Sequence, residues 1–320
     1  MAKILLSQPV PDICLAQFKD KFDITIPDAP MTYDEVMQVI GEYDAYMIIG
    51  NKGDKALLDA GKNLKAIANF GVGYDNIDWK YATEKGIAVV NTPTQVTDAT
   101  AEHTVALIVA AMRGIARSDR ELRRGEWISP MFPEFNTAIN ESTLGILGFG
   151  RIGKLVCKKA QGLGMKVIYY DKFRAAPEVE AEYGVTYMEL DDVVKTADCI
   201  SLHMPFIPEN HHLFDLAMLK KMKKDAYLVN CARGPIVCEA DLVTALKEGI
   251  IRGAGLDVYE FEPQISDALK QLDNVVLTPH IASGTMKARV GMAIEALTGL
   301  TAVLCGEIPY NVVNKEVCAK

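Results

Sequence analysis

No two of the seven cysteines (14, 157, 199, 231, 238, 305 and 318) stand in a Cys-x-x-Cys pair, and their number is odd. That argues against a disulfide framework and against a cysteine zinc site. Histidine is scarce as well. Residues 103, 203, 211, 212 and 280 show no metal-ligand spacing, so no metal is expected. Long apolar runs are missing: the longest, Val105–Met112, has eight residues against the roughly 20 that a bilayer requires. Ahead of Ser7 there is only Lys3 and the run Ile4–Leu6, too little for a secretory leader. The expected location is the cytoplasm, with no membrane partner. A basic excess is lacking too. Thirty-four Lys and Arg face 42 Asp and Glu, a net charge of −8, which argues against a nucleic-acid partner.

What the chain does contain is apolar material in short pieces. It is 49% hydrophobic over 320 residues, enough for two domains at about 150 residues each. The runs Ile4–Leu6, Phe22–Ile26, Ala45–Ile49, Ala66–Phe70 and Ile87–Val90 are too short for helices and rich in Val and Ile, which favours strands. Their spacing leaves room for a helix between each pair, the signature of a parallel sheet. A second series follows at Leu144–Leu147, Val167–Tyr170, Val185–Met188, Cys199–Leu202, Ala226–Val229, Ala254–Val258 and Val275–Leu277. The chain reads as two consecutive α/β units. Between them a long helix is expected over Asp98–Arg117, with Asp98 as N-cap and Glu102 in the first turn. Its middle, Val105–Met112, is apolar all round, so burial between domains or subunits is expected. Gly125–Asn140, with Trp127, Pro130, Met131, Phe132, Pro133 and Phe135, reads as an irregular loop. Ala293–Leu304 reads as a helix, followed by an Asn-Val-Val-Asn tail.

Chemistry enters at Gly148-Phe149-Gly150-Arg151-Ile152-Gly153. Three such glycines alone are a weak signal, but here they follow an apolar strand and open a helix over Arg151–Leu163. A second strand then ends in Asp171, 23 residues beyond Gly148. That context fits a dinucleotide site. Gly148 permits the tight turn, Gly150 lets the pyrophosphate approach, and Gly153 lets the helix pack closely, with its N-terminal amides on the phosphates. Asp171 suits the adenosine ribose and repels a 2′-phosphate, favouring NAD over NADP, although Lys172 and Arg174 blunt that preference. In an open parallel sheet, ligands bind beyond the carboxyl ends of the strands. Those positions hold His203-Met204-Pro205, Cys231-Ala232-Arg233-Gly234, Asp257 with Glu262 five residues on, and Pro279-His280. Each has an ordinary reading alone; together they set a guanidinium, a carboxylate and an imidazole at one sheet edge.

These stretches, with Gly71-Val72-Gly73-Tyr74-Asp75-Asn76-Ile77-Asp78 and Thr97-Asp98-Ala99-Thr100-Ala101-Glu102-His103-Thr104, resemble the D-isomer-specific 2-hydroxyacid dehydrogenase family over essentially the whole length. The Gly-Tyr-Asp-Asn-Ile-Asp, Thr-Asp-Ala-Thr-Ala and Gly306-Glu307-Ile308-Pro309 segments are most similar to its glyoxylate, hydroxypyruvate and 2-ketogluconate reductase branch. The resemblance implies two doubly wound parallel-sheet α/β domains with the active site in the cleft between them. A flavodoxin-like substrate domain would comprise 1–98 and 285–320, and a Rossmann domain binding NAD would comprise 99–284. It further implies a homodimer held through the nucleotide domain, and a small 2-keto or 2-hydroxy acid as substrate.

By the same resemblance His280 is the acid, with Glu262 favouring imidazolium and fixing the ring, and Arg233 polarises the keto oxygen and grips the carboxylate in a bidentate fork. The backbone amides of Val72 and Gly73 take the remaining carboxylate oxygen. Asp257 orients the carboxamide of the nicotinamide. Thr104, His203, Pro205, Cys231 and Ala232 neighbour the cofactor, as do Arg151, Ile152, Arg233 and His280; Thr104 reads equally as a helix hydroxyl bonded to its own backbone. Other readings keep the fold: an NAD-sensing corepressor-like scaffold, a short D-3-phosphoglycerate dehydrogenase, or a formate or phosphite dehydrogenase. Formate enzymes carry Gln where Glu262 stands.

Overall fold

Each of the twelve apolar runs forms a strand, and every strand pairing is parallel. The computed structural model describes residues 1–127 and 136–318. Two compact units meet the chain at 96/97 and 283/284, so that the first unit takes Met1–Val96 and the segment from Gly284, and the second takes Thr97–Ser283. The divisions read from sequence stand two residues and one residue further along.

The first unit holds β1 (Lys3–Leu6), β2 (Asp23–Thr25), β3 (Ala45–Ile48), β4 (Ala66–Asn69) and β5 (Ala88–Val90), in the order β2-β1-β3-β4-β5. That is the flavodoxin-like order. Side chains alternate across the sheet, so both faces are buried. Ile4, Leu6, Met47, Ala68 and Val90 pack on Ala293, Leu297 and Leu300 of the helix Met286–Leu304. Leu5, Tyr46, Ile48, Ile67 and Val89 pack on the opposite layer. There lie α1 (Tyr33–Val39), α2 (Lys55–Ala60) and α3 (Trp79–Glu84), each started by a side chain that accepts a first-turn amide: Thr32, Asp54 and Asp78. Two-sided burial is why these strands read as unbroken apolar runs. The helix Met286–Leu304 begins seven residues before the apolar stretch expected from sequence, because Thr285 caps it and its first turns carry Lys287 and Arg289. The tail then returns to β5. Val312 bridges Val90 antiparallel, and Asn314 accepts from the Val89 amide at 2.7 Å while donating to the Ile87 carbonyl at 2.9 Å.

The second unit holds β6 (Thr143–Leu147), β7 (Lys166–Tyr170), β8 (Thr186–Tyr187), β9 (Cys199–Leu202), β10 (Tyr227–Asn230), β11 (Gly253–Leu256) and β12 (Val275–Leu277). Their order is β12-β11-β10-β9-β6-β7-β8, with the topological reversal between β6 and β9. This is the Rossmann arrangement, and its switch point is where nucleotide sites form. The expected helix 98–117 is two helices, α4 (Thr97–Met112) and α5 (Ile115–Arg123). Gly114 is left-handed, φ 62°, and breaks the run. Asp98 lies inside the first turn rather than capping it. Within the single chain, Leu107, Ile108, Ala111 and Met112 of the apolar stretch enter the core, whereas Ala106 is exposed and Val109 and Ala110 are half-buried. Trp127 is exposed; Pro130, Met131, Phe132, Pro133 and Phe135 lie outside the described residues. Among the described residues, no helix is long and apolar enough to cross a membrane.

Candidate active site

The glycine loop joins β6 to α6 (Arg151–Gln161) at the switch point. Gly148 has φ 97°, and a Cβ there would stand 2.7 Å from the backbone of His203 and Met204, so no larger residue fits. A Cβ on Gly153 would collide with the Gly148 carbonyl, which sets how closely α6 lies on the loop. At Gly150, the N-cap, a Cβ would meet open space, and no side chain caps the helix. A helix N-terminus without a side-chain cap is a place where an anion can bind. Asp171 follows β7, and its two oxygens accept the Phe149 and Phe173 amides at 2.7 and 2.9 Å, fastening the carboxylate beside the glycine loop. Arg174 turns elsewhere: it forms a fork on Glu180 at 2.8 and 3.0 Å and lies over Tyr187. Lys172 is exposed.

His203 contributes through its backbone, which donates to Leu147 at 2.7 Å and lies against Gly148. Its ring meets Ser201 Oγ at 2.8 Å, and burial pushes the imidazole down to about 3, so it is neutral at physiological pH. Pro205 is exposed and its carbonyl accepts from Asn210 at 2.6 Å. Thr104 donates to the Thr100 carbonyl at 2.8 Å, the helix-hydroxyl arrangement, while also standing beside the sulfur of Cys231. Burial pushes that thiol up to about 12.

The turn bearing Arg233 follows β10. Asn230, buried at the strand end, accepts the Ala232 amide at 3.0 Å and donates to the Arg233 carbonyl at 2.9 Å, so one side chain holds both ends of the turn. Arg233 donates through Nη1 to the Ala232 carbonyl at 2.8 Å. Gly234 is pressed so closely on the backbone of Tyr259 and Glu260 that no Cβ could be placed there.

Asp257 is fully buried at the end of β11. Its carboxylate accepts from Thr278 Oγ1 at 2.6 Å and from the Ile281 and Ala282 amides at 2.9 and 2.8 Å. His103 of α4 stands 3.4 Å from the same carboxylate and 3.0 Å from Thr278 Oγ1. Burial works against ionisation here, but the bonds from His103, Thr278 and the two amides outweigh it and hold the carboxyl below its usual range. The loop so fastened carries His280, whose φ of 52° is left-handed and whose amide donates to the Asp257 carbonyl at 2.8 Å. A non-glycine residue in that region is strained, and such strain persists where surrounding bonds over-determine it. Here it presents a half-exposed ring with Nδ1 2.7 Å from Glu262 Oε2. The other oxygen of Glu262 accepts the Tyr259 amide at 2.9 Å. Burial raises the Glu262 carboxyl, yet the bond to His280, the charges of His280 and Arg233 and the Tyr259 amide together hold it below the ordinary range.

In the first unit, Val72 and Gly73 sit on the turn after β4, with Val72 exposed. The reading of the sequence passed over the residues that hold these pieces: Asn230, Tyr259 and His103. Tyr259 is buried and its hydroxyl donates to the Thr278 carbonyl at 2.9 Å, tying the His280 loop from below. The signal for Asn230 was a polar residue closing an apolar run; nothing local marks the other two. The adjacent His211 and His212 are also brought together with the distant Glu260, with a His212–Glu260 bond of 2.6 Å.

The NAD-binding-domain model of the D-isomer-specific 2-hydroxyacid dehydrogenases matches residues 105–282. A glyoxylate reductase of Thermococcus litoralis is 42% identical, the match covering 98% of this chain and 97% of that one. Among solved structures, a glyoxylate reductase from Paecilomyes thermophila superposes with a TM-score of 0.86 at 30% identity, over 98% of this chain and 99% of that one. An NADPH-dependent glyoxylate/hydroxypyruvate reductase from Sinorhizobium meliloti, in complex with citrate, gives 0.85 at 28%, over 98% of each chain.

Proposed function

The chain belongs to the D-isomer-specific 2-hydroxyacid dehydrogenase family and is an NAD(P)-dependent oxidoreductase, and we propose that it reduces a small 2-keto acid of the glyoxylate, hydroxypyruvate or 2-ketogluconate type to the D-2-hydroxy acid. The observation that carries this reading is the His280–Glu262 pair at 2.7 Å. Glu262 occupies Nδ1, which leaves Nε2 of a half-exposed ring to deliver a proton to the keto oxygen. Arg233 supplies fixed positive charge to the keto oxygen and a planar fork for the carboxylate, and the amides of Val72 and Gly73 take the carboxylate's other oxygen.

The residues of the second unit fit a nicotinamide dinucleotide. The N-terminal turn of α6, at Arg151, Ile152 and Gly153, with open space at Gly150, would hold its pyrophosphate, and Asp171 its ribose. Thr104, His203, Pro205, Cys231, Ala232 and Asp257 would line the nicotinamide half. When bound, the cofactor supplies the hydride. NADH is the favoured form, because Asp171 carries the negative charge and Arg174 is committed to Glu180. The exposed Ala106 and the half-buried Val109 and Ala110 on α4 support a homodimer through the nucleotide-binding unit, to be read by sedimentation velocity.

The deciding experiment is a panel of 2-keto acids assayed with NADH and with NADPH. Turnover of glyoxylate, hydroxypyruvate or 2-ketogluconate with NADH is expected. Dinucleotide binding without turnover of any of them would instead favour a scaffold that senses NAD.

A further inference from the structure

Three successive carbonyls in the first unit are each held by a separate donor. The Gly71 carbonyl accepts the Thr92 amide at 2.9 Å, the Val72 carbonyl accepts Asn91 Nδ2 at 2.7 Å, and the Gly73 carbonyl accepts Asn69 Nδ2. A trans peptide is planar, with its C=O and the next residue's N–H on opposite sides. Holding these three oxygens therefore turns the N–H groups of Val72, Gly73 and Tyr74 the other way. Among the described residues, none of those three N–H groups donates to a protein acceptor. Successive backbone amides at a turn can cradle an anion.

The two asparagines are themselves fixed. Asn76 Nδ2 donates to Asn69 Oδ1 at 2.9 Å and to the Asn51 carbonyl at 3.0 Å, which leaves the Asn69 amine for Gly73. Asn91 is buried, its amide donates to the Asn311 carbonyl at 3.2 Å, and its carbonyl accepts Asn311 Nδ2 at 2.7 Å. Asparagine is the required chemistry at both positions: short, neutral and a donor. An aspartate of the same shape would set an oxygen against the carbonyl it should hold.

We propose that Asn91 and Asn69 are positioning residues for the substrate carboxylate, acting through the peptide planes they lock, with Tyr74 N–H as a third donor beside those of Val72 and Gly73. This rests on the reductase reading given above. Asn91 governs the Gly73 N–H and Asn69 governs the Tyr74 N–H, whereas the Val72 N–H is set by the backbone of Thr92 and should survive either substitution.

The test uses the full chain with Asn91→Asp, Asn91→Ala and Asn69→Ala. Oxalate, a dicarboxylate that needs no turnover, is titrated calorimetrically, and the KM of glyoxylate and of NADH is measured alongside the melting temperature. The expected result is a rise of about tenfold in oxalate Kd and glyoxylate KM, the size of one lost hydrogen bond to a charged group. The change in kcat should be smaller, and the KM of NADH should stay within about twofold. Unchanged oxalate affinity in folded variants, or an equal rise in the KM of NADH, overturns the proposal. Should Asn91→Asp not fold, Asn69→Ala decides alone. If oxalate binding depends on the asparagines while the wild type reduces no 2-keto acid, the anion site stands and the reductase reading falls; turnover that ignores both asparagines gives the converse.

Discussion

Nδ1 of His280 lies 2.7 Å from Oε2 of Glu262, on a residue whose φ of 52° is left-handed. The carboxylate, held ionised by its neighbours, thus fixes which ring nitrogen remains for substrate. We expect His280→Ala to lower kcat/KM by ~10² or more, and Glu262→Gln to lower it less, since an amide still orients the ring. Steady-state kinetics with NADH and glyoxylate check both; near-wild-type values in His280→Ala would remove it from the chemistry.

Arg233→Lys should cost ~10² or more in kcat/KM, because an ammonium lacks the planar pair of donors that matches a carboxylate. The KM of NADH should change little. A lysine variant that retains wild-type efficiency would show that charge alone suffices and that no fork is used.

Asp257→Asn should destabilise the protein by roughly 1–3 kcal/mol, since an amide cannot satisfy the donors now converging on that carboxylate. The folded protein holds the Asp257 proton less tightly than the unfolded chain does. Its stabilising contribution is therefore complete above the unfolded carboxylate value of about 3.9, and is lost as pH falls through the lower folded value. Denaturation of wild type and variant at pH 7 and at stepwise lower pH should show the gap between them closing only on the acid side. A gap that stays constant through that range would contradict the account.

Cys231, with its thiol pushed up to about 12, should react with iodoacetamide at neutral pH far more slowly than the exposed Cys305. Bound NADH should slow it further, as mapped by mass spectrometry of each peptide. Equal Cys231 labelling with and without the cofactor would place it away from the nicotinamide.

The strands were legible because two-sided burial writes them as short, unbroken apolar runs, and the strand-end residues follow from where such sheets bind ligands. The glycine loop was legible for a steric reason: the close approaches at Gly148 and Gly153 admit no side chain. Less was visible where the decisive partner is distant. Asn91 is held by Asn311, and His103 meets Asp257. No local pattern announces pairs so far apart. The split of one expected helix at Gly114 was missed because glycine within a helical run is often tolerated, and only the left-handed φ shows that here it is not. Thr104 shows the opposite lesson: the ordinary helix-hydroxyl bond is present, as one of its two readings had it.

The return of residues 311–314 to β5 has a consequence for biogenesis. The Rossmann unit is contiguous, so it can close while the ribosome is still at work. Its companion cannot: the turn after β4 is braced through Asn91 by a segment that emerges 220 residues later, beyond the whole Rossmann unit. A nascent chain arrested just short of position 311 would hold a finished nucleotide-binding unit and a sheet that still lacks its clasp.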